Sequence, residues 1–168
     1  MGHASGMTLT DSLPEALRQA RTRHLLTLRL AVRGPLPTLP VPGAGRRIGV
    51  VTGGEFDGAR LSGTVMDGGS DWQTLRADGA VHLDVRVILK TADDALLALT
   101  YRGIRHATPE VIARIDGGEE VAPHEVYFRT AAFFETAAPQ YDWLNHIVAL
   151  GIGHRRADGP VYSVFELL

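Results

Sequence analysis

The sequence predicts a single all-β domain, an antiparallel barrel or sandwich, preceded by a short helix. Three observations carry this reading. β-rich runs recur at short, regular spacing from residue 25 onward, clusters of Gly, Asp and Pro separate them, and no alternating helices of the kind a parallel sheet needs come between. A chain of 168 residues suits one domain that buries roughly 70% of its unfolded surface. Neither an internal repeat nor a linker divides it, so the organisation expected is an N-terminal segment over 1–24 and a β domain over 25–168, with Met1–Met7 set aside from the fold.

Taken in order, Ser12-Leu-Pro-Glu15 has the spacing of a capping box and predicts a helix from about Leu13 to Thr22. The strands expected are 25–32, 48–52, 59–66, 72–76, 80–90, 95–101, 125–134, 144–152 and 160–168. The Pro-rich stretch Gly34–Pro42 cannot donate freely to a ladder and is expected as a loop. The 19 glycines exceed the roughly 7% average, and pairs such as Gly53-Gly54, Gly68-Gly69 and Gly117-Gly118 read as turns or bulges.

Composition excludes several function classes. Cysteine is absent, which removes disulfides, thiolate metal sites and thiol nucleophiles. With 17 Lys and Arg against 19 Asp and Glu, no strong positive field draws the chain to nucleic acid. No basic leader followed by an apolar run and no membrane-span-length apolar stretch is found, so the expectation is a cytoplasmic protein with neither membrane nor nucleic acid as partner. Gly43-Ala-Gly45 and Gly151-Ile-Gly153 begin like dinucleotide fingerprints, but each lacks the third glycine and neither opens a helix after a strand. Ser70 lies in Gly-Gly-Ser-Asp, a turn rather than a nucleophile elbow. The seven histidines form neither His-x-His nor His-Glu-x-x-His. No metal and no cofactor are expected.

What remains is a set of charged and aromatic side chains inside otherwise apolar strands. Alternation along 80–90 puts His82, Asp84 and Arg86 on one face and Val81, Leu83, Val85, Val87 and Leu89 on the other. Two arrangements are open: the polar row faces water over a Val/Leu core, or it lines a lumen and leaves the apolar row outside, to be covered by the helix or by a second subunit in a homodimer. Along 125–134, Tyr127 and Arg129 oppose Phe128 and Thr130, and Glu135 falls on the Arg129 side. Structural pairing of Asp84 with Arg86, or of Arg129 with Glu135, is the alternative to a ligand site.

Six ordered motifs, Gly53-Gly-Glu-Phe-Asp-Gly58, Gly68-Gly-Ser-Asp-Trp-Gln73, Leu83-Asp-Val-Arg86, Tyr127-Phe-Arg-Thr130, Phe134-Glu-Thr136 and Tyr141-Asp-Trp-Leu-Asn145, resemble the bacterial and fungal family catalogued as domain of unknown function 3237. The resemblance spans residues 25–168. It implies a compact antiparallel β-barrel, lipocalin-like or allene-oxide-cyclase-like, with an internal pocket, and it implies no activity. Two departures stand out: Val87 occupies a position where the family often has Tyr, and Asp94-Ala95 replaces a more usual Asp-Gly.

The expected function is a small-molecule-binding barrel acting as a cofactor-independent isomerase or cyclase on an aromatic or polyketide-like compound. Asp84 or Glu135 would serve as base and Arg86 or Arg129 would stabilise a developing anion, these four being the catalytic candidates. Asp71, Trp72, Tyr101, Tyr127, Trp143 and Asn145 are the ligand-binding candidates. A non-catalytic carrier and a structural oligomerisation module are the competing readings.

Overall fold

The computed structural model describes residues 7–34, 37–156 and 158–168. Among the described residues ten strands form one antiparallel sheet that closes on itself. They are β1 (Thr22–Arg33), β2 (Leu39–Val41), β3 (Ala44–Asp57), β4 (Gly63–Val65), β5 (Gly69–Arg76), β6 (Val81–Thr91), β7 (Leu96–His106), β8 (Tyr127–Glu135), β9 (Ala149–Arg156) and β10 (Gly159–Leu167). The order β1-β10-β9-β8-β7-β6 continues through β4 and β5, which share the position between β6 and β3, and β3 pairs back onto β1. Counting β4 and β5 as one stave, this is a closed eight-stave barrel, as expected. The short β2 folds onto the start of β3 as an edge hairpin, so the Pro-rich stretch contributes three paired residues within its described part.

Packing decides which strand faces look inward. Val81, Leu83, Val85, Val87 and Leu89 are all buried, whereas Arg86 and Ile88 are exposed and His82 and Asp84 half-buried. The lumen reading of the polar row is therefore overturned. Burying a Val or Leu contributes about 1.5–3 kcal/mol, while an unpaired charge taken from water costs several. Five apolar side chains consequently fill a barrel only wide enough for side chains. Val87, the departure from the family pattern, belongs to this inner row.

The two barrel ends differ. At one end Leu25, Phe56, Leu61, Leu97, Phe134 and Leu144 are packed together. The 3-10 segment Pro139–His146, which inserts Leu144, seals this end. Glu166, inward-facing on β10, is held there by Arg23 at 2.9 Å and by Arg60, whose guanidinium stacks over Trp143 at 3.7 Å. The other end is flanked by helix α2 (Pro109–Asp116), which packs Val111, Ile112 and Ile115 against the core; the sequence reading contained no element there.

Further differences have local causes. Residues 13–22 are not an α-helix and hold only a 3-10 turn at Glu15–Leu17. One α-helical turn, α1 (Leu9–Ser12), is capped by Thr8 and Asp11, and Leu13, preceding Pro14, is extended at ψ 139°, as the proline ring demands of its neighbour. Of the two readings of Gly53-Gly54, turn or bulge, the second holds: both lie inside β3 beside a register shift, at φ +155° and +144°. The expected strand 59–66 is reduced to β4. That at 144–152 starts at Ala149, because Pro139 opens the 3-10 segment before it.

Candidate functional site

The end beside α2 opens into a cavity of about 330 Å³ reaching into the barrel. Its depth is set by rows of inward positions running across neighbouring strands. Gly49 on β3 pairs with Asp71 on β5, Asp71 with Val85 on β6, and Val85 with Tyr101 on β7. One step nearer the mouth, Arg47 pairs with Gln73. Arg105 continues the Tyr101 face of β7, and Arg155 stands opposite Pro160 where β9 and β10 meet. Phe128, Tyr162, Leu83 and Val32 supply apolar wall. Tyr162 packs edge-on against both Tyr101 and Phe128, with ring centroids 5.3 Å apart in each case.

The polar groups form one connected chain with a loose end. Gln73 Oε1 accepts from Arg47 Nε and Nη2 at 2.9 and 2.6 Å, and Gln73 Nε2 donates to Asp71 Oδ2 at 2.6 Å. The other carboxyl oxygen, Asp71 Oδ1, is buried without a hydrogen-bond partner among the described residues, in a side chain only 8% exposed. The Tyr101 hydroxyl is likewise buried with no partner of good geometry, although Tyr162 lies against its ring. Two orphaned buried polar groups, one of them on a residue lining the cavity, are costly at about 1–3 kcal/mol each.

Burial pushes the Asp71 carboxyl above its usual range, opposed by the Gln73 bond and by the charges of Arg105 and Arg47. It drives Tyr101 well above the ordinary phenol range. Burial, reinforced by Arg155 and Arg47, pulls Arg105 down to about 10, still cationic at neutral pH.

Of the ten site residues expected from sequence, Asp71 lines this cavity and Tyr101 lies buried behind its Tyr162 wall, and they are the two that carry the unsatisfied atoms. The other eight do not converge on the lumen. Asp84, Arg129, Trp72 and Tyr127 instead share an open groove of about 560 Å³ on the outer face of β5 to β8. There Asp84 meets Arg102, directly across on β7, at 3.3 Å, and Arg129 lies over Tyr127 and donates to the Phe128 carbonyl. Arg86 and Glu135 are exposed on that outer surface. Arg129 and Glu135 cannot pair, since six residues along one strand separate them by roughly 20 Å. Trp143 is the platform under Arg60, and Asn145 is a clasp, accepting from the Thr136 amide at 2.8 Å and donating to its carbonyl at 2.9 Å. With the Val/Leu row of β6 inside, the stated ground for a dimer also goes.

Arg47, Gln73, Arg105, Arg155, Phe128 and Tyr162 were missed. For Arg105 and Arg155 the signal was present: Tyr101, Gly103 and Arg105 share a face, as do Gly151, Gly153 and Arg155, once β7 and β9 are allowed to run through their glycines. Among the described residues no three His, Asp or Glu side chains stand together to hold a metal, and no helix is long and apolar enough to cross a membrane.

A closed antiparallel barrel, sealed at one end and carrying a polar, partly unsatisfied cavity at the other, is the class of protein these observations define. The model of the family described as "Protein of unknown function (DUF3237)" matches residues 20–167, and the chain belongs to that family. It is 33% identical to a UPF0311 protein of Rhodopseudomonas palustris over 148 residues, 88% of this chain and 96% of that one. The crystal structure of that protein superposes with a TM-score of 0.83, covering 89% of this chain and 98% of the other. A beta-barrel like protein of Acinetobacter baumannii superposes with a TM-score of 0.78 at 32% identity, over 89% and 97% of the two chains. A hydroalkoxylation enzyme of Penicillium herquei is 30% identical over 101 residues, 60% of this chain and 52% of the enzyme.

Proposed function

We propose that the barrel mouth is the active site of a cofactor-independent, cytoplasmic enzyme that closes or isomerises a small aromatic or polyketide-like compound by acid catalysis, with Asp71 as the acid. The observation that carries this is the Asp71 carboxyl, buried at the cavity floor with Oδ1 free and Oδ2 fixed by Gln73. Desolvation favours its protonated form, which a proton donor needs. The catalytic roles expected of Asp84, Glu135, Arg86 and Arg129 pass to residues that face the lumen.

Hydroalkoxylation, named for the Penicillium herquei relative, is addition of an O–H across a carbon–carbon double bond, and the mouth has the parts for it. Asp71 transfers its proton to one alkene carbon while a substrate hydroxyl oxygen bonds to the next. The π bond breaks, a C–O bond forms, and the hydroxyl proton passes to the Asp71 carboxylate, restoring the acid. The aromatic wall of Phe128 and Tyr162 holds the chain folded for closure and excludes water.

The test is incubation in D2O with a panel of phenols bearing a pendant alkene. The expected product is an isomer of the substrate in which one carbon-bound deuterium replaces one hydrogen, and Asp71→Asn is expected to lower its formation at least 100-fold without loss of folding. Turnover by Asp71→Asn at the wild-type rate would overturn the assignment. Tight binding of panel members with no product from either protein would favour the carrier reading.

A further inference from the structure

Resting on the reading of the mouth as a substrate site, we infer that the substrate is an organic anion, a planar carboxylate or phenolate, whose charge is received by Arg47, Arg105 and Arg155. Three guanidiniums surround one mouth, and none of the three forms an ion pair among the described residues. Arg47 spends two donors on the neutral oxygen of Gln73, and the Arg105 and Arg155 side chains have no hydrogen bond to any described group. None of the carboxylates nearby forms an ion pair with the three, and Asp116 of α2 acts on Arg47 through space only. Asp71 is the buried acid bonded to Gln73, and Asp158 at the rim is engaged by Arg29 at 3.5 Å and Arg156 at 3.6 Å.

Several arginines elsewhere are paired. Arg23 and Arg60 meet Glu166, Arg29 meets Glu55, Arg76 meets Asp78, and Arg114 meets Glu119 and Glu125. Arg46, Arg86 and Arg129 on the outer wall also lack an ion pair, but only the mouth gathers three unpaired guanidiniums, Arg47, Arg105 and Arg155, about one cavity among the described residues. The three also repel one another: Arg155 and Arg47 are the charges, after burial, that draw the Arg105 proton affinity down. A cluster held together against its own repulsion is a preformed anion site, and a guanidinium fork matches a carboxylate in two-point contact. The apolar wall of Phe128, Tyr162, Leu83 and Val32 beside it selects a flat organic body over a bare inorganic ion. The anion anchored at the rim would lay the rest of the molecule down the lumen toward Asp71.

Calorimetric titration of the full chain with benzoate, benzamide and inorganic phosphate tests this. Benzoate is expected to bind at least tenfold more tightly than its neutral isostere benzamide and than phosphate. Arg105→Met and Arg155→Met are each expected to weaken benzoate at least tenfold. Arg155 is exposed, so its variant reads out binding even where Arg105→Met disturbs the fold. Equal binding of benzamide, equal binding of phosphate, or wild-type benzoate affinity in Arg155→Met would each overturn the inference. The two proposals fail separately. Loss of benzoate binding in the Arg variants with wild-type deuteration by Asp71→Asn removes the acid and keeps the anion site. Loss of deuteration in Asp71→Asn with benzoate indifferent to both Arg changes does the reverse.

Discussion

At the residue scale the molecule turns on Asp71, a carboxyl group that folding places where its charge is unwelcome. Its pKa is raised by burial above the ordinary 3.8 of the unfolded chain. The stability it permits is therefore fully present below about pH 4 and is lost as pH rises through the elevated folded value, each unit of elevation amounting to about 1.4 kcal/mol. Asp71→Asn, which cannot ionise, is expected to match wild type in urea titrations at pH 3.5 and to exceed it in stability at pH 7.5. An Asn variant equal to or weaker than wild type at pH 7.5 would show that the carboxylate is well accommodated there. A stabilising loss of a buried polar group is what a site tuned for chemistry predicts, since strain of this kind persists where function needs it.

At the element scale, the glycines of β7 and β9 set how closely strands approach. A Cβ built on Gly153 would stand 2.7 Å from the Phe128 ring, which lies flat against that strand and forms one wall of the mouth. Gly153→Ala is expected to cost about 1–3 kcal/mol by overpacking, read from the urea midpoint, whereas Gly34→Ala, with open space around it, is expected to cost little. Equal midpoints for the two variants would show that Phe128 yields freely. The same glycines explain what was legible in the sequence. Strands rich in Val, Leu and aromatic residues, such as β6 and β8, were placed within two residues of their ends. The sequence reading ends β7 at Tyr101 and β9 at Ile152, the latter because Gly151 and Gly153 read as turns or bulges, so that Arg105 and Arg155 fall beyond the expected ends. Alternation separated the two faces of β6 correctly but could not say which faced in. That depends on how many side chains an eight-stave lumen holds, a property of the closed sheet and not of one strand. Asp71 stands out in its motif, whereas Gln73, in the same motif and on the same strand face, does not, because a neutral amide carries no charge to mark it inside a strand.

At the scale of the whole molecule, the barrel has a sealed end and a charged, open one, and its outer wall is unevenly apolar. Trp72, Ile104, Tyr127, Phe133 and Ile152 project outward from β5, β7, β8 and β9, each more than a third exposed. Self-association is expected to use this wall rather than the β6 row first considered, since apolar patches of this extent tend to be covered. Sedimentation at micromolar concentration is expected to give a dimer that Phe133→Glu with Ile152→Glu splits; a wild-type monomer would end that expectation. The closure of the sheet has a temporal consequence. β1 pairs on one side with β3, close behind it, and on the other with β10, so that Arg23 finds Glu166 across 143 residues of chain. At ribosomal speeds of about 5–20 residues per second, β1 waits roughly 7–30 s for that second neighbour. Throughout that interval the nascent sheet is an open trough with a bare edge and its leucine row, Leu26, Leu28 and Leu30, turned to water. The Arg23–Glu166 contact is then the clasp that ends the most aggregation-prone moment in the life of the chain.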